Sequence, residues 1–463
     1  MKRYDIIIVG AGASGVFLAY ELTKLNADAS VLMLDKGAPL EKRICPIKAG
    51  KTKTCIKCSP CHIMNGYGGA GTLSDGKYNI TTQFGGDLHA YLGEEEAMEL
   101  MEYVDSVLCS FGGSEAKLYS TASSELKTEC LRHDLHLLEA KVRHLGTDRN
   151  VRILEQIFDY SSKNVEMKFY TPVFEITKAP AGEEGFLVKT QTEEFLCRDL
   201  VLATGRSGSK WAGKVCNTFG IEQKSNRVDI GVRVELPAEV FRHITDEVYE
   251  SKIVYKTKQY GDLVRTFCMN PYGEVVSENT NGIVTVNGHS YADQSLLTEN
   301  TNFALLVSNH FTEPFRDSNE YGESIARLSN MLGGGVLLQR FGDLVKGRRS
   351  SERRMSKCFT RPTLGATAGD LSLVIPKRQL DDIIEMIYAL DAIAPGTANE
   401  DTLLYGVEVK FYNSKIQVDE NLETAVKGLY ALGDGSGVTH SLSQASASGV
   451  HVARILAGKY GSR

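Results

Sequence analysis

An α/β domain interrupted by a β-rich α+β insert is the architecture predicted by three observations. Tyr4 to Val9 is an apolar, β-rich run that enters Gly10-Ala11-Gly12-Ala13-Ser14-Gly15 and then a helical pattern through Leu25. A second apolar run, Val31 to Leu34, ends at Asp35, 20 residues after Gly15. From about Trp211 to about Asn399 the pattern turns to short β-rich segments, and strand-ending glycine turns stand on both sides of that stretch. At 463 residues the chain exceeds the size at which one hydrophobic core keeps growing, so two domains interleaved in sequence are expected. The bounds read 1–210 and 400–463 for the interrupted, Rossmann-like domain and 211–399 for the insert.

The first turn has a definite chemistry. Gly10 permits the tight turn, Gly12 lets backbone approach a pyrophosphate, and Gly15 lets the helix pack on the strand. Amides at the helix start, around Ala13 and Ser14, face the phosphate charge. Asp35 is spaced to accept hydrogen bonds from a ribose 2′-hydroxyl. A tight turn with no ligand is the plain alternative, but strand, helix and spaced acid occurring together point to a bound dinucleotide. Lys36 and Arg43, just beyond the acid, join the candidate contacts.

The remaining elements follow in order. Glu94 to Phe111 carries one apolar helical stripe (Ala97, Leu100, Met101, Val104, Val107, Leu108, Phe111), with acids in its first turn and Gly112-Gly113 at its stop, and reads as scaffold. Val151 to Asp159 reads as another helix, and Val165 to Ile176, Gly185 to Thr190 and Phe195 to Leu202 read as strands of a small meander leading into Ala203-Thr204-Gly205. The insert, a substrate or cap domain, has strands at Ile230 to Glu235, Leu263 to Met269 and Gly282 to Val286 and a helix at Asp381 to Leu390. Gly333-Gly334-Gly335 lacks the strand, helix and acid of a second nucleotide turn and reads as a loop. Leu403 to Val418 returns the chain to Leu429–Leu432, Gly433-Asp434-Gly435 and a helical stretch of small residues from Ser443 to Leu456.

Composition excludes several classes. Hydrophobic content of 42%, charged content of 24% and 44 glycines describe a globular chain with many tight turns, not a disordered or fibrous one. A net charge of -6 gives no general attraction to nucleic acid or anionic membrane. The start MKRYDIIIVG enters a strand at once, with no room for a leader, and no apolar run approaches 18 residues; a cytoplasmic protein is the expectation.

The N-terminal turn, LVLATGRSG (200–208) and LYALGDGSG (429–437) together resemble the three-part signature of FAD-binding flavoproteins of the glutathione-reductase-like class, in which a terminal Gly-Asp holds the ribityl chain. That resemblance implies FAD rather than NAD, with contacts at Ala203, Thr204, Gly205, Gly433, Asp434 and Gly435, and at Val173. GGAGTLSDGK (68–77), GTD (146–148), DIGVRVE (229–235), RTFCMNPYGEVV (265–276) and TVNGHS (285–290), in order over nearly the full chain, resemble a family of uncharacterised FAD-dependent dehydrogenases. The resemblance places the Gly68, Gly69, Gly71 and Thr72 loop near the isoalloxazine; a flexible lid is the alternative. It supplies no substrate. With no second dinucleotide domain, NAD(P)H would dock transiently over the flavin, or another donor would deliver electrons.

Several side chains are candidates for the chemistry around such a ring. Ser74, Asp75 and Lys77 follow the glycine loop and either line the pocket or lie on the surface. His440 sits between Gly435 and the last helix, whose first amides could face the flavin; it could act as an acid, or merely cap or be solvated. Arg265 and Arg233 lie in apolar β stretches, where a charge is costly unless paired. They could clamp a substrate carboxylate, or pair with a structural acid. His289 is a further acid-base candidate, and the basic run 346–354 reads as a solvated face.

Four of the ten cysteines fall between positions 45 and 61. Cys55, Cys58 and Cys61 have C-x2-C-x2-C spacing and Cys45 precedes a proline, which suits a [4Fe-4S] cluster or a four-sulfur zinc site. Plain thiols or a redox disulfide fit the same residues, and the surrounding lysines would support any of these. Three readings follow: an FAD-dependent oxidoreductase acting on a small organic molecule, an anionic one being the candidate class; an FAD reductase fed by a ferredoxin-type donor protein through a cluster at Cys45/Cys55/Cys58/Cys61; and a non-enzymatic carrier or chaperone of the same fold.

Overall fold

In the computed structural model of the chain, the structure describes residues 1–46, 49–51, 56, 58–121, 125–280, 282–291, 294–311, 315 and 317–461. The chain divides into two compact units: Met1–Leu118, Lys141–Lys224 and Asn413–Arg463 form the first, and Tyr119–Ala140 and Ser225–Tyr412 the second.

The first unit is organised on a seven-stranded sheet. From one edge its strands are Val165–Lys168, Val31–Leu34, Lys2–Val9, Glu194–Leu202, Phe186–Thr190 and Val173–Lys178, with Leu429–Ala431 beside the second half of Glu194–Leu202. The pairings among the strands that meet the nucleotide turns are parallel; those with Phe186–Thr190 are antiparallel. Ile6, Ile7 and Ile8 are fully buried, as expected of a parallel strand covered on both faces. The stretch read as one strand from Val165 to Ile176 is two, because Tyr170 takes φ +53° and Pro172 follows, so the chain turns and its two halves end at opposite edges of the sheet. Helix Ala13–Lys24 lies against helix Leu442–Tyr460; a Cβ on Gly449 would stand 2.1 Å from the Ser14 carbonyl oxygen, so the small residues of the last helix let two backbones meet. Helix Glu94–Ser110 buries the stripe anticipated from its spacing from Ala97 to Leu108, and Phe111, its C-cap, packs partly buried against the same core.

The second unit is built on an eight-stranded sheet ordered Thr367–Ala368, Leu337–Arg340, Leu403–Phe411, Val228–Pro237, Asn300–Asn309, Leu263–Asn270, Ile253–Lys256 and Leu135–Leu137. Two of these strands explain where the unit begins and ends. Leu135–Leu137 pairs with Ile253–Lys256 and draws 119–140 out of the first unit, and Leu403–Phe411 is an interior strand, which moves the later limit from 399 to 412. Strand Val228–Pro237 is buried along its length and alternates with period two. Val228, Ile230, Val232, Val234 and Leu236 join the apolar core with Leu380, Ile383 and Ile387 of helix Lys377–Asp391, while Asp229, Arg233 and Glu235 occupy the alternate positions. Gly334, at φ +66°, caps helix Ser318–Gly333, so the glycine triplet ends a helix.

Candidate functional site

Three segments of the first unit that lie far apart in sequence meet at the first glycine turn. Gly10 takes φ +112°, and a Cβ there would stand 2.5 Å from the Ala203 carbonyl oxygen. A Cβ on Gly15 would stand 2.1 Å from the Gly10 carbonyl oxygen, which is the close helix–turn packing its position requires. A Cβ on Gly433 would fall 2.5 Å from Ser14 Oγ, and one on Gly435 2.1 Å from the Thr204 carbonyl oxygen, to which the Gly435 amide donates at 2.7 Å. The turns at 10–15, 203–205 and 433–435 thus form one backbone-lined cradle. Gly12 differs: nothing lies within 4 Å of its Cβ position. Gly12 is also the N-cap of helix Ala13–Lys24, which has no side-chain cap and no acid in its first turn. Its first amides are left for an anion.

The glycine loop closes one side. The Gly68 amide donates to the Ala11 carbonyl at 2.7 Å, and a Cβ on Gly69 would stand 3.0 Å from Gly12 Cα. Thr72 is buried and its hydroxyl donates to the Tyr67 carbonyl at 2.8 Å, so it braces this loop. Ser74 donates to the Gly71 carbonyl at 2.6 Å, and Asp75 faces Lys77 at 3.1 Å.

Asp35 stands at the end of the second strand. Its Oδ2 accepts from the Ala11 amide at 2.9 Å, and its Oδ1 from the amides of Gly37 at 2.6 Å and Gly66 at 3.1 Å. The carboxylate therefore ties the first turn to the segment before the glycine loop. Arg43 is buried and donates to the carbonyls of His62, Ile63 and Tyr67 at 3.0, 2.6 and 2.6 Å. Burial pulls its guanidinium down to about 10, against the pull of Asp35. Lys36 donates to the Ser207 carbonyl at 3.3 Å, and Val173 lies half-buried in its strand.

At the other end, Asp434 accepts from Arg206 Nε at 3.3 Å and meets His440 Nδ1 at 3.2 Å, and the His440 amide donates to the Gly85 carbonyl. The helical stretch anticipated from Ser443 to Leu456 is the helix Leu442–Tyr460, capped by Ser441, whose hydroxyl accepts from the Gln444 amide. A 3-10 turn at Asp434–Ser436 opens the connection that carries His440 to that helix.

In the second unit, Arg265 donates to the buried Asp229 and, at 2.6 Å, to Tyr412 Oη. Burial draws its pKa down, but Asp229 and Tyr412 more than offset this and hold it above the usual arginine value. Arg233 is fully buried between Glu408, at 3.4 Å, and Asn287, at 3.3 Å. The Phe267 ring is approached by Lys410 Nζ at 3.9 Å, Lys252 Nζ at 4.5 Å and the Arg265 guanidinium at 5.2 Å. Burial, together with Arg265 and Lys252, holds Lys410 well below the usual lysine range. His289 lies edge-on to Tyr291, opposite Glu274 in a hairpin.

Residues 227–411 match the model of a family described as FAD-dependent protein, C-terminal domain-like. That stretch covers nearly all of Ser225–Tyr412 in the second unit. No curated protein matches the chain. Among solved structures, glycine oxidase from Geobacillus kaustophilus is 13% identical with TM-score 0.40, over 99% of this chain and 93% of that one. The 3-ketosteroid-delta4-(5alpha)-dehydrogenase from Rhodococcus jostii RHA1, in complex with 4-androstene-3,17-dione, is 12% identical with TM-score 0.44, over 98% and 97%. The probable FAD-dependent monooxygenase pqsL from Pseudomonas aeruginosa is 11% identical with TM-score 0.41, over 99% and 85%. Likenesses of this order bear on no single residue of the chain.

The four-cysteine metal reading is only partly within view, since Cys55 lies outside the described residues. Cys45, Cys58 and Cys61 are unbridged and half-buried, and among the described residues no group of three or more His, Cys, Asp or Glu side chains is placed to hold a metal ion. Among the described residues no helix is long and apolar enough to cross a membrane. The basic run lies mostly exposed, as a solvated face does, and from it Arg348 and Arg354 donate to the fully buried Asp343 at 2.7 and 3.0 Å. Gln444 was not anticipated. Its buried amide donates to the carbonyls of Thr81 and Phe84 at 3.2 and 3.1 Å, fastening the chain after the glycine loop to the last helix. One glutamine in a small-residue helix gives no sequence signal for this.

Proposed function

We propose that the chain is an FAD-dependent oxidoreductase of glutathione-reductase-like organisation, acting on a small organic substrate. The observation that carries this reading is the meeting of the turns at 10–15, 203–205 and 433–435 in one cradle whose contacts tolerate no side chain, beside an open space at Gly12 and an uncapped helix start. These residues fit FAD. Amides of Ala13 and Ser14 would hold the pyrophosphate, Asp35 the adenosine ribose and Asp434 the ribityl chain, with the Gly68–Gly71 backbone alongside. Bound there, FAD supplies hydride and single-electron transfer. The chain's part is to orient the cofactor, exclude water and select a substrate. NAD(P)H or a donor protein would deliver electrons.

The test is an anaerobic absorption spectrum of freshly purified protein, with metal analysis of the same sample. A two-peaked flavin spectrum that bleaches with NADPH or a reduced ferredoxin is the expected result. A colourless protein that takes up no added FAD would overturn the reading in favour of a carrier, and added broad absorbance with iron would favour the cluster-fed reductase.

A further inference from the structure

The cysteine-rich segment occupies a place that its spacing alone does not give. A cavity of about 450 Å³ is lined by Lys36, Cys58, Cys61, Asn65, Pro172 and Gln191, among others. Lys36 directly follows Asp35, the acid that takes the adenosine ribose in the FAD reading, so this cavity belongs to the adenosine end of the cradle and not to the redox ring. Its volume is that of a small-molecule pocket, for which about 300–1,000 Å³ is usual. Cys58 and Cys61 are unbridged and only half-buried, so reagents can reach them.

The segment that carries Cys61 is fastened to the cradle at several points. The Asn65 amide and Asn65 Nδ2 both donate to the Cys61 carbonyl at 3.0 Å, and Ser207 Oγ donates to Asn65 Oδ1 at 2.7 Å. The next residue, Gly66, donates its amide to Asp35. Arg43 clamps the carbonyls on either side. Bulk added at Cys58 or Cys61 would therefore fill the cavity and push on the few bonds that aim Asp35. Lys36, which lines the cavity, would attract an anionic reagent.

We propose that Cys58 and Cys61 form a thiol modification site at the adenosine end of the cradle, where reaction with an anionic low-molecular-weight disulfide and binding of the dinucleotide exclude each other. The proposal rests on the FAD reading. In the step, the cysteine gives its proton to solvent and its sulfur attacks one sulfur of the disulfide. A protein–reagent S–S bond forms, the reagent's own S–S bond breaks, and the other half leaves as a thiolate carrying the electron pair. The cysteine is oxidised and the departing half is reduced.

The experiment incubates the full chain with glutathione disulfide, with and without prior saturation by FAD. Adducts are mapped by peptide mass spectrometry, and FAD affinity is measured by flavin fluorescence before and after treatment. Adducts at Cys58 or Cys61, slowed at least tenfold by FAD, are expected. Modified protein should bind FAD at least tenfold more weakly and recover with dithiothreitol. In Cys58→Ser/Cys61→Ser, and in the corresponding alanine pair, FAD affinity should be the same before and after treatment. Adducts confined to other cysteines, an adduct rate indifferent to FAD, or unchanged FAD affinity of the modified protein would each overturn the proposal. Should untreated protein bind no FAD, the oxidoreductase reading itself falls and takes this site with it; FAD bound with indifferent thiols defeats the site alone.

Discussion

The two units place their polar groups in opposite ways. In the first, recognition is made by leaving side chains out: at Gly10, Gly15, Gly433 and Gly435 a single added carbon would strike backbone or Ser14. In the second, ionic side chains enter a sheet and satisfy one another, as Asp229 does with Arg265 and Tyr412 and Glu235 does with Asn300, Thr363 and Tyr405. The difference teaches that glycine spacing at strand ends has few physical uses, so it reads out a site directly. A charge in a strand has many uses, and only its neighbours choose among them.

The contrast is broken most severely by Gly15→Val, whose branch would drive into the Gly10 carbonyl; loss of soluble fold or a fall of roughly a hundredfold in FAD affinity is expected by equilibrium titration. Gly12→Val sharpens the same point, because open space surrounds that carbon: the melting temperature should hold while FAD affinity drops at least tenfold. Normal FAD binding by Gly12→Val would mean that the space serves no ligand.

On the other side, Asp229→Ala leaves Arg265 buried without its acid and should cost about 3–5 kcal/mol in urea unfolding. Asp229→Leu combined with Arg265→Met should lose much less than the two single changes added together, because the pair is removed as a pair. Strict additivity would show that the lattice is not coupled.

A pH effect of intermediate size follows from Glu408. Burial raises its pKa to about 7, although Arg233 pulls it back, and Glu278 adds to the rise. The folded state thus keeps a proton that the unfolded chain releases above the usual glutamate value, so stability should fall as pH rises from about 4.5 to 7 and level off beyond, by roughly 3 kcal/mol. Glu408→Gln should flatten that slope in urea midpoints taken across the interval; an unchanged slope would assign it elsewhere, with Asp382, raised to about 6 by burial, the next candidate. At the small end, Arg327→Ala removes an exposed helical pair with Glu323 and should change stability by less than about 0.5 kcal/mol.

What could be read from the sequence was local. The first glycine turn, the stripe of Glu94–Ser110 and the short β segments of the insert each announce themselves within a dozen residues. The places that escaped depend on partners distant in sequence. Strand Leu135–Leu137 is assigned by its pairing with Ile253–Lys256, and Arg43 spends its donors on carbonyls of a segment about 20 residues away, where it was expected to meet the cofactor. Arg265 was left between clamp and pair because Asp229 stands 36 positions off on a strand that is not its sheet neighbour. For Asp35 the spacing was informative, but its hold on Gly66 was not foreseeable, since nothing in the linear order sets position 66 beside it.

The last helix, whose Gly449 rests against the Ser14 carbonyl, has a consequence for how the molecule comes into being. A ribosome releases Gly10 through Asp35 nearly four hundred residues before the strand at Leu429–Ala431, the turn at 433–435 and Gly449. The emerging N-terminal strand and helix must therefore wait, half-clad, while the whole interrupting unit is translated and has time to fold. Chaperone protection of nascent chains, and flavin uptake only after release, are the cellular signatures expected where sheet segments so distant in sequence complete one another.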